Sequence, residues 1–146
     1  MINVFAEISL RMKTNNYLTR ISDKLLKDQL DNTGTVLIEG PKWYGKTMLA
    51  LQMAENVVYM QDPDVGPGYI ARADTQPSVL HDKKPPLLID EWQIAPVLWD
   101  AVRFAVDRRN KTGQFILTGS VTPPDNRMSH SGTGRISRVL MRPMSI

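Results

Sequence analysis

The chain alternates short, almost wholly apolar runs with longer segments whose apolar residues recur every three or four positions. Thr35-Val36-Leu37-Ile38-Glu39, Val57-Val58-Tyr59-Met60, Pro85-Pro86-Leu87-Leu88-Ile89-Asp90-Glu91 and Gln114-Phe115-Ile116-Leu117-Thr118-Gly119-Ser120 are of the first kind, and Ile136 to Met141 is a further candidate. Runs of this length without a polar face predict strands buried on both sides, as in a parallel sheet, since a strand with one wet face alternates. Helical spacing begins at Tyr17 with Leu18, Ile21 and Leu25, joined by Leu26 and Leu30, opposite Lys24, Lys27 and Asp28; this helix is expected to end between Asn32 and Gly34. Met48 to Ala54 predicts a second helix reaching about Asn56. Pro96 to Arg109 has the clearest stripe, Val97, Leu98, Ala101, Val102, Ala105 and Val106, with Pro96 suited to the first turn and Arg108 and Arg109 to the last. The prolines and glycines of Gln61 to Gly68 predict a loop, with a short helix from Ala71 to His81. Residues 1–16 lack a period and read as a lead-in, leaving 17–146 as the core. The alternation predicts an α/β fold: three layers around a mostly parallel sheet of about four or five strands, with right-handed crossovers placing helices on both faces.

Between the first strand and the second helix stands Gly40-Pro41-Lys42-Trp43-Tyr44-Gly45-Lys46-Thr47, followed by Met48. Gly, four variable residues, then Gly-Lys-Thr, set between a strand and a helix, is a phosphate-binding loop in its required context. Gly40 and Gly45 permit torsions that turn successive N–H groups inward around an anion. Lys46 adds a charge for the β- and γ-phosphates, and the Thr47 hydroxyl suits a magnesium ion bridging them. The helix that follows directs its positive end at the same anion.

An apolar run ending in two acids is what a central parallel strand looks like when it delivers carboxylates to its C-terminal edge, where open α/β sheets bind ligands. There Asp90 would hold magnesium and Glu91 would polarise an attacking water; the lesser alternative for Glu91 is an acid at the start of a helix before Trp92. Thr118 and Ser120 end the next buried strand and are candidates to orient that water or touch the γ-phosphate, or else ordinary turn residues. Trp92 and Trp99 read as packing residues rather than base-stacking platforms. The polar segment 119–135 is long enough to be functional. It ends in Ser129-His130-Ser131-Gly132-Thr133-Gly134-Arg135. Arg135, ahead of Arg138, could act on the γ-phosphate of a neighbouring subunit. His130 makes a poor metal ligand, since His81 is the only other histidine.

Composition changes this picture little. At 146 residues the chain suits one domain with a real core, and 42% hydrophobic and 23% charged residues are ordinary globular values. The absence of cysteine excludes disulfides and thiolate metal sites and suits the cytosol. No apolar run approaches the roughly 20 residues of a membrane span, and Glu7 spoils the N-terminus as a signal peptide. Net charge is +3, yet residues 108–146 hold seven Arg or Lys against Asp125 alone. That basic end could meet nucleic acid, a phosphate ligand or an acidic neighbour.

Gly-Pro-Lys-Trp-Tyr-Gly-Lys-Thr, Tyr-Met-Gln-Asp-Pro-Asp, Leu-Ile-Asp-Glu-Trp-Gln, Phe-Ile-Leu-Thr-Gly-Ser, His-Ser-Gly-Thr-Gly-Arg and Met-Arg-Pro-Met-Ser, in this order, resemble the N-terminal domain of a prokaryotic family of AAA-type ATPases that carry a C-terminal domain of unknown function. The resemblance covers about residues 17–146. It implies binding and hydrolysis of Mg-ATP, with Gly40, Gly45, Lys46 and Thr47 on phosphate, Asp90 and Glu91 as the acidic pair, Thr118 and Ser120 on a sensor strand, and Arg135 in the Gly-Thr-Gly-Arg turn. It also implies that the sensor strand separates the phosphate-loop strand from the Asp90 strand. Two departures stand out. Tyr44 occupies a position where family members often have a small residue, and the chain stops at Ile146 whereas they continue well beyond Met-Arg-Pro-Met-Ser, so turnover by this chain is expected to be slow or absent. The alternatives are a nucleotide-dependent binding module, a small-molecule kinase, or an ATPase that contacts nucleic acid through its basic end.

Overall fold

The computed structural model describes residues 21–40, 45–76, 83–119 and 136–141; the lead-in 1–16 and the start of the first predicted helix lie outside them. The elements are α1 (Ile21–Asn32), β1 (Thr35–Glu39), α2 (Lys46–Leu51), β2 (Asn56–Tyr59), α3 (Gly66–Thr75), β3 (Leu87–Asp90), a 3-10 turn (Trp92–Ile94), α4 (Val97–Arg109), β4 (Phe115–Gly119) and β5 (Ile136–Leu140). The five strands form one sheet in the order β2-β3-β4-β1-β5. Every neighbouring pair is parallel.

All residues of β1, β3 and β4 are buried, because helices cover both faces and the two-residue period sends alternate side chains into two separate cores. Leu37, Ile89, Leu87, Phe115 and Leu117 pack with Tyr69 of α3 and with Trp99, Leu98, Val102 and Val106 of α4. Val36, Ile38, Leu88, Ile116 and Val139 pack with Leu26 and Leu30 of α1 and Leu49 and Ala50 of α2. Trp92 and Trp99 lie in the first core, both 2% exposed, with ring centroids 5.1 Å apart.

Three expectations are corrected. In α1 Leu26 and Leu30 are buried, whereas Leu25, expected on the same apolar stripe, is exposed. The second helix ends at Leu51 rather than near Asn56, tapering through Met53 N–H and Ala54 N–H, which both donate to Ala50 O, before Asn56 joins the sheet. Residues 66–68, expected in a loop, open α3 instead, with a proline in the first turn. Proline is tolerated there because its missing N–H would have had no partner in the helix. The helix expected at Ala71 to His81 therefore lies earlier, and its last residues fall outside the described segments.

The junction of α1 and β1 is tight against α4. A Cβ on Gly34 would stand 2.3 Å from Val106 Cγ1, a stiff β-branched side chain in the core. Gly34→Ala is expected to destabilise the fold by about 1–3 kcal/mol through overpacking. The double change Gly34→Ala/Val106→Ala should recover part of that loss. Urea denaturation of the parent, Gly34→Ala, Val106→Ala and the double variant checks this, and additive losses would show that the two sites do not meet.

Candidate functional site

The C-terminal edge of the sheet gathers chemistry from three adjacent strands. β1 ends in Glu39 and runs into Gly40, where a side chain would press within 2.8 Å of Met141 O. Gly45 sits at φ 82°, ψ 21°, a left-handed conformation that glycine adopts without a Cβ clash, and its carbonyl accepts the first bond of α2 from Leu49 N–H. Lys46 follows at once and is 5% exposed. Its Nζ donates to Gly40 O at 2.8 Å, so the ammonium bridges the two ends of the loop. Pro41, Lys42, Trp43 and Tyr44 lie outside the described residues. Met48 is half-buried on α2.

Thr47 is the link to the second motif. Its hydroxyl donates to Asp90 Oδ1 at 2.7 Å, and the Thr118 hydroxyl donates to the same oxygen at 2.7 Å. Thr118 also accepts from Glu91 N–H at 3.1 Å. One buried carboxylate oxygen thus joins the loop, the acid-bearing strand and β4, which lies between β1 and β3. Thr118 is 0% exposed. Its hydroxyl is turned to Asp90 and the Glu91 backbone.

Glu91 closes β3 at φ 60°, ψ 55°, a left-handed conformation that costs a residue with a Cβ on the order of 1–3 kcal/mol. Its Oε2 accepts from Gln93 Nε2 across the 3-10 turn. On the far side of β1, Arg138 Nε lies 3.3 Å from Glu39 Oε1, so this arginine has an acidic partner within its own chain. Ser120, His130 and Arg135 lie outside the described residues. Neither Gln93 nor the Arg138–Glu39 pair is singled out by any motif or spacing. Each depends on backbone geometry, the first on a left-handed residue and the second on the β1–β5 register, and no local pattern announces either.

Burial, the largest influence, raises the Asp90 carboxyl above its usual range, and nearby Glu91 adds to the rise; the Thr47 and Thr118 hydroxyls and Lys46 act in the opposite direction. The unfolded chain therefore loses this proton at a lower pH than the folded one. The stabilising contribution is present below the ordinary carboxyl value and is lost as pH rises through the raised one. Asp90→Asn keeps an oxygen for both threonines and removes the buried charge. In chelated, nucleotide-free solution it is expected to be more stable than the parent at neutral pH by about 0.5–2 kcal/mol, the scale on which functional groups oppose stability. The gap should close as pH falls towards the ordinary carboxyl range. Thermal melts across pH check this, and a variant less stable than the parent at pH 7 would contradict it.

A hydroxyl and a carboxylate within 2.7 Å are hard oxygen donors of the kind magnesium takes beside phosphates and water. Among the described residues no cluster of three or more His, Cys, Asp or Glu could hold a metal ion by itself. No helix among the described residues is long and apolar enough to cross a membrane.

A parallel sheet in the order β2-β3-β4-β1-β5, a Gly-Lys-Thr loop after β1 and an acid pair at the end of β3 define a P-loop nucleotide-binding domain of the ATPase type. The AAA domain profile matches residues 32–146, and the chain belongs to that family. No curated protein matches it. Among solved structures, that of C. elegans PCH-2 is similar at 16% identity and a TM-score of 0.45, covering 95% of this chain and 40% of that one. The chain thus spans 40% of that structure's length.

Proposed function

We propose that the chain binds Mg-ATP and hydrolyses it to ADP and phosphate. The observation that carries this reading is the pair of 2.7 Å bonds joining Thr47 and Thr118 to Asp90 beside the Lys46 loop. In this reading Lys46 exchanges the Gly40 carbonyl for the β- and γ-phosphates, and backbone N–H groups of the loop hold the same oxygens. Thr47 and Asp90 hold magnesium, which supplies charge neutralisation on the phosphates when bound. Glu91 takes the proton of the attacking water, Thr118 keeps Asp90 and the Glu91 backbone in place, and Arg135 acts on the γ-phosphate of a neighbouring copy in a homo-oligomer. The preference for ATP over GTP and a further C-terminal domain rest on the family resemblance alone, and the cytoplasm as compartment rests on the residue composition.

Single-turnover phosphate release with excess protein, beside a calorimetric titration with Mg-ATP, tests the proposal. Binding and slow release are expected without any added acceptor, and both should collapse on chelation of magnesium. Binding without release would make the domain a nucleotide switch; ADP formed only when a metabolite is added would make it a kinase. No binding at all would sink the reading.

A further inference from the structure

Gln93 has no part in the roles assigned above, yet its surroundings are unusual. It lies in the one turn of 3-10 helix that follows Glu91, and its Nε2 donates to Glu91 Oε2. Its own Oε1 is buried without a hydrogen-bond partner, and so is Nε1 of Trp92 next to it. Both atoms press on one spot: a Cβ on Gly119 would lie 2.8 Å from Trp92 Nε1 and 3.0 Å from Gln93 Oε1. A side chain at the end of β4 would crowd the indole and push the carboxamide from this position. A buried acceptor with no donor is a standing desolvation cost that an apolar side chain of the same shape would not carry. A position filled for packing alone would therefore favour such a side chain. The same turn holds Glu91 at φ 60°. Two adjacent local costs, at the end of the strand that bears Asp90, mark a geometry that the surroundings maintain against local preference.

We propose that Gln93 is a positioning residue for the Glu91 carboxylate: its amide N–H fixes the rotation of that carboxylate, and Gly119 provides the space that fixes Gln93. The proposal rests on Glu91 being the group that activates water. It assigns the orphaned Oε1 to the other end of the same rigid amide, left without a donor because the nitrogen is committed to Glu91. A free glutamate carboxylate on three rotatable bonds would sample many orientations. One bound to a neighbour two residues away, in a turn whose backbone is itself constrained, samples few.

Gln93→Met tests this, since Met fills a similar space with neither the donor nor the orphaned acceptor. The melting temperature is expected to be equal or higher, the Mg-ATP dissociation constant and KM to stay within about twofold, and kcat to fall roughly 10- to 100-fold, the usual loss when the partner of a reacting group is removed. Combined with Glu91→Gln, it should cause no further fall, because Gln93 acts only through Glu91. An unchanged kcat overturns the proposal, as does a fall in turnover that merely follows lost stability or lost binding. Should the parent chain bind Mg-ATP without releasing phosphate, the hydrolysis reading fails on its own. The Gln93 side-chain amide resonance, identified by its loss in Gln93→Met, then decides: it should be displaced and protected from exchange in the parent and relaxed in Glu91→Ala. A resonance indifferent to Glu91→Ala overturns the proposal.

Discussion

Lys46→Ala is expected to weaken Mg-ATP binding by roughly 10- to 100-fold and to remove measurable turnover. Hydrogen bonds to charged groups contribute about 1.5–3 kcal/mol, and each 1.4 kcal/mol is a factor of ten in affinity. Lys46 is 5% exposed, and its ammonium reaches Gly40 O at 2.8 Å. It is therefore already ordered at the mouth of the loop, and little further side-chain entropy is lost when phosphate replaces the carbonyl. The same substitution leaves Gly40 O without its partner, so a thermal melt must accompany the titration. Calorimetry with Mg-ATP on both chains reads the effect. A folded variant that binds within threefold of the parent would remove Lys46 from the nucleotide site.

How far the arrangement can be read without coordinates differs from element to element. Thr35–Glu39 and Phe115–Gly119 lie where their apolar runs place them, because a strand with both faces buried leaves an uninterrupted hydrophobic signature. α4 is equally plain, since its buried residues Leu98, Ala101, Val102, Ala105 and Val106 keep helical spacing. The start of α3 is hidden by Gly66-Pro67-Gly68, residues that signal a turn in isolation and begin a helix when Gly66 N–H can reach back to Asp62 O at 2.8 Å. At the site, the Gly-Lys-Thr and Asp-Glu pairs are legible because each residue type is demanded by the chemistry of a phosphate and a divalent ion. The convergence of Thr47, Thr118 and Asp90 on one oxygen is not. It needs β4 to lie between β1 and β3, and a strand order is a tertiary fact that residue types imply only through family resemblance. Gln93 is the extreme case, since its meaning rests on the left-handed torsion of Glu91 and on an empty Cβ position 26 residues away at Gly119.

Glu91→Gln should lower phosphate release by roughly 10²- to 10³-fold, within the range a positioned general base contributes, while Mg-ATP affinity stays within about threefold. The amide keeps the size of the carboxylate and an oxygen for Gln93 Nε2, so the 3-10 turn and the bonds around Asp90 have no reason to move. It cannot take a proton from water. The change thereby separates chemistry from binding, which Lys46→Ala does not. Glu91→Gly is the informative companion, because glycine relieves the φ 60° torsion at no steric cost. It is expected to match Glu91→Gln in lost turnover and to exceed the parent in stability. Opposite signs on activity and stability at one residue are what a strained catalytic group requires; a Glu91→Gly chain that is both slow and unstable would instead make Glu91 a structural end-piece of β3. Retained phosphate release in Glu91→Gln would move the base elsewhere, and with it the reason for Gln93 to hold this carboxylate at all.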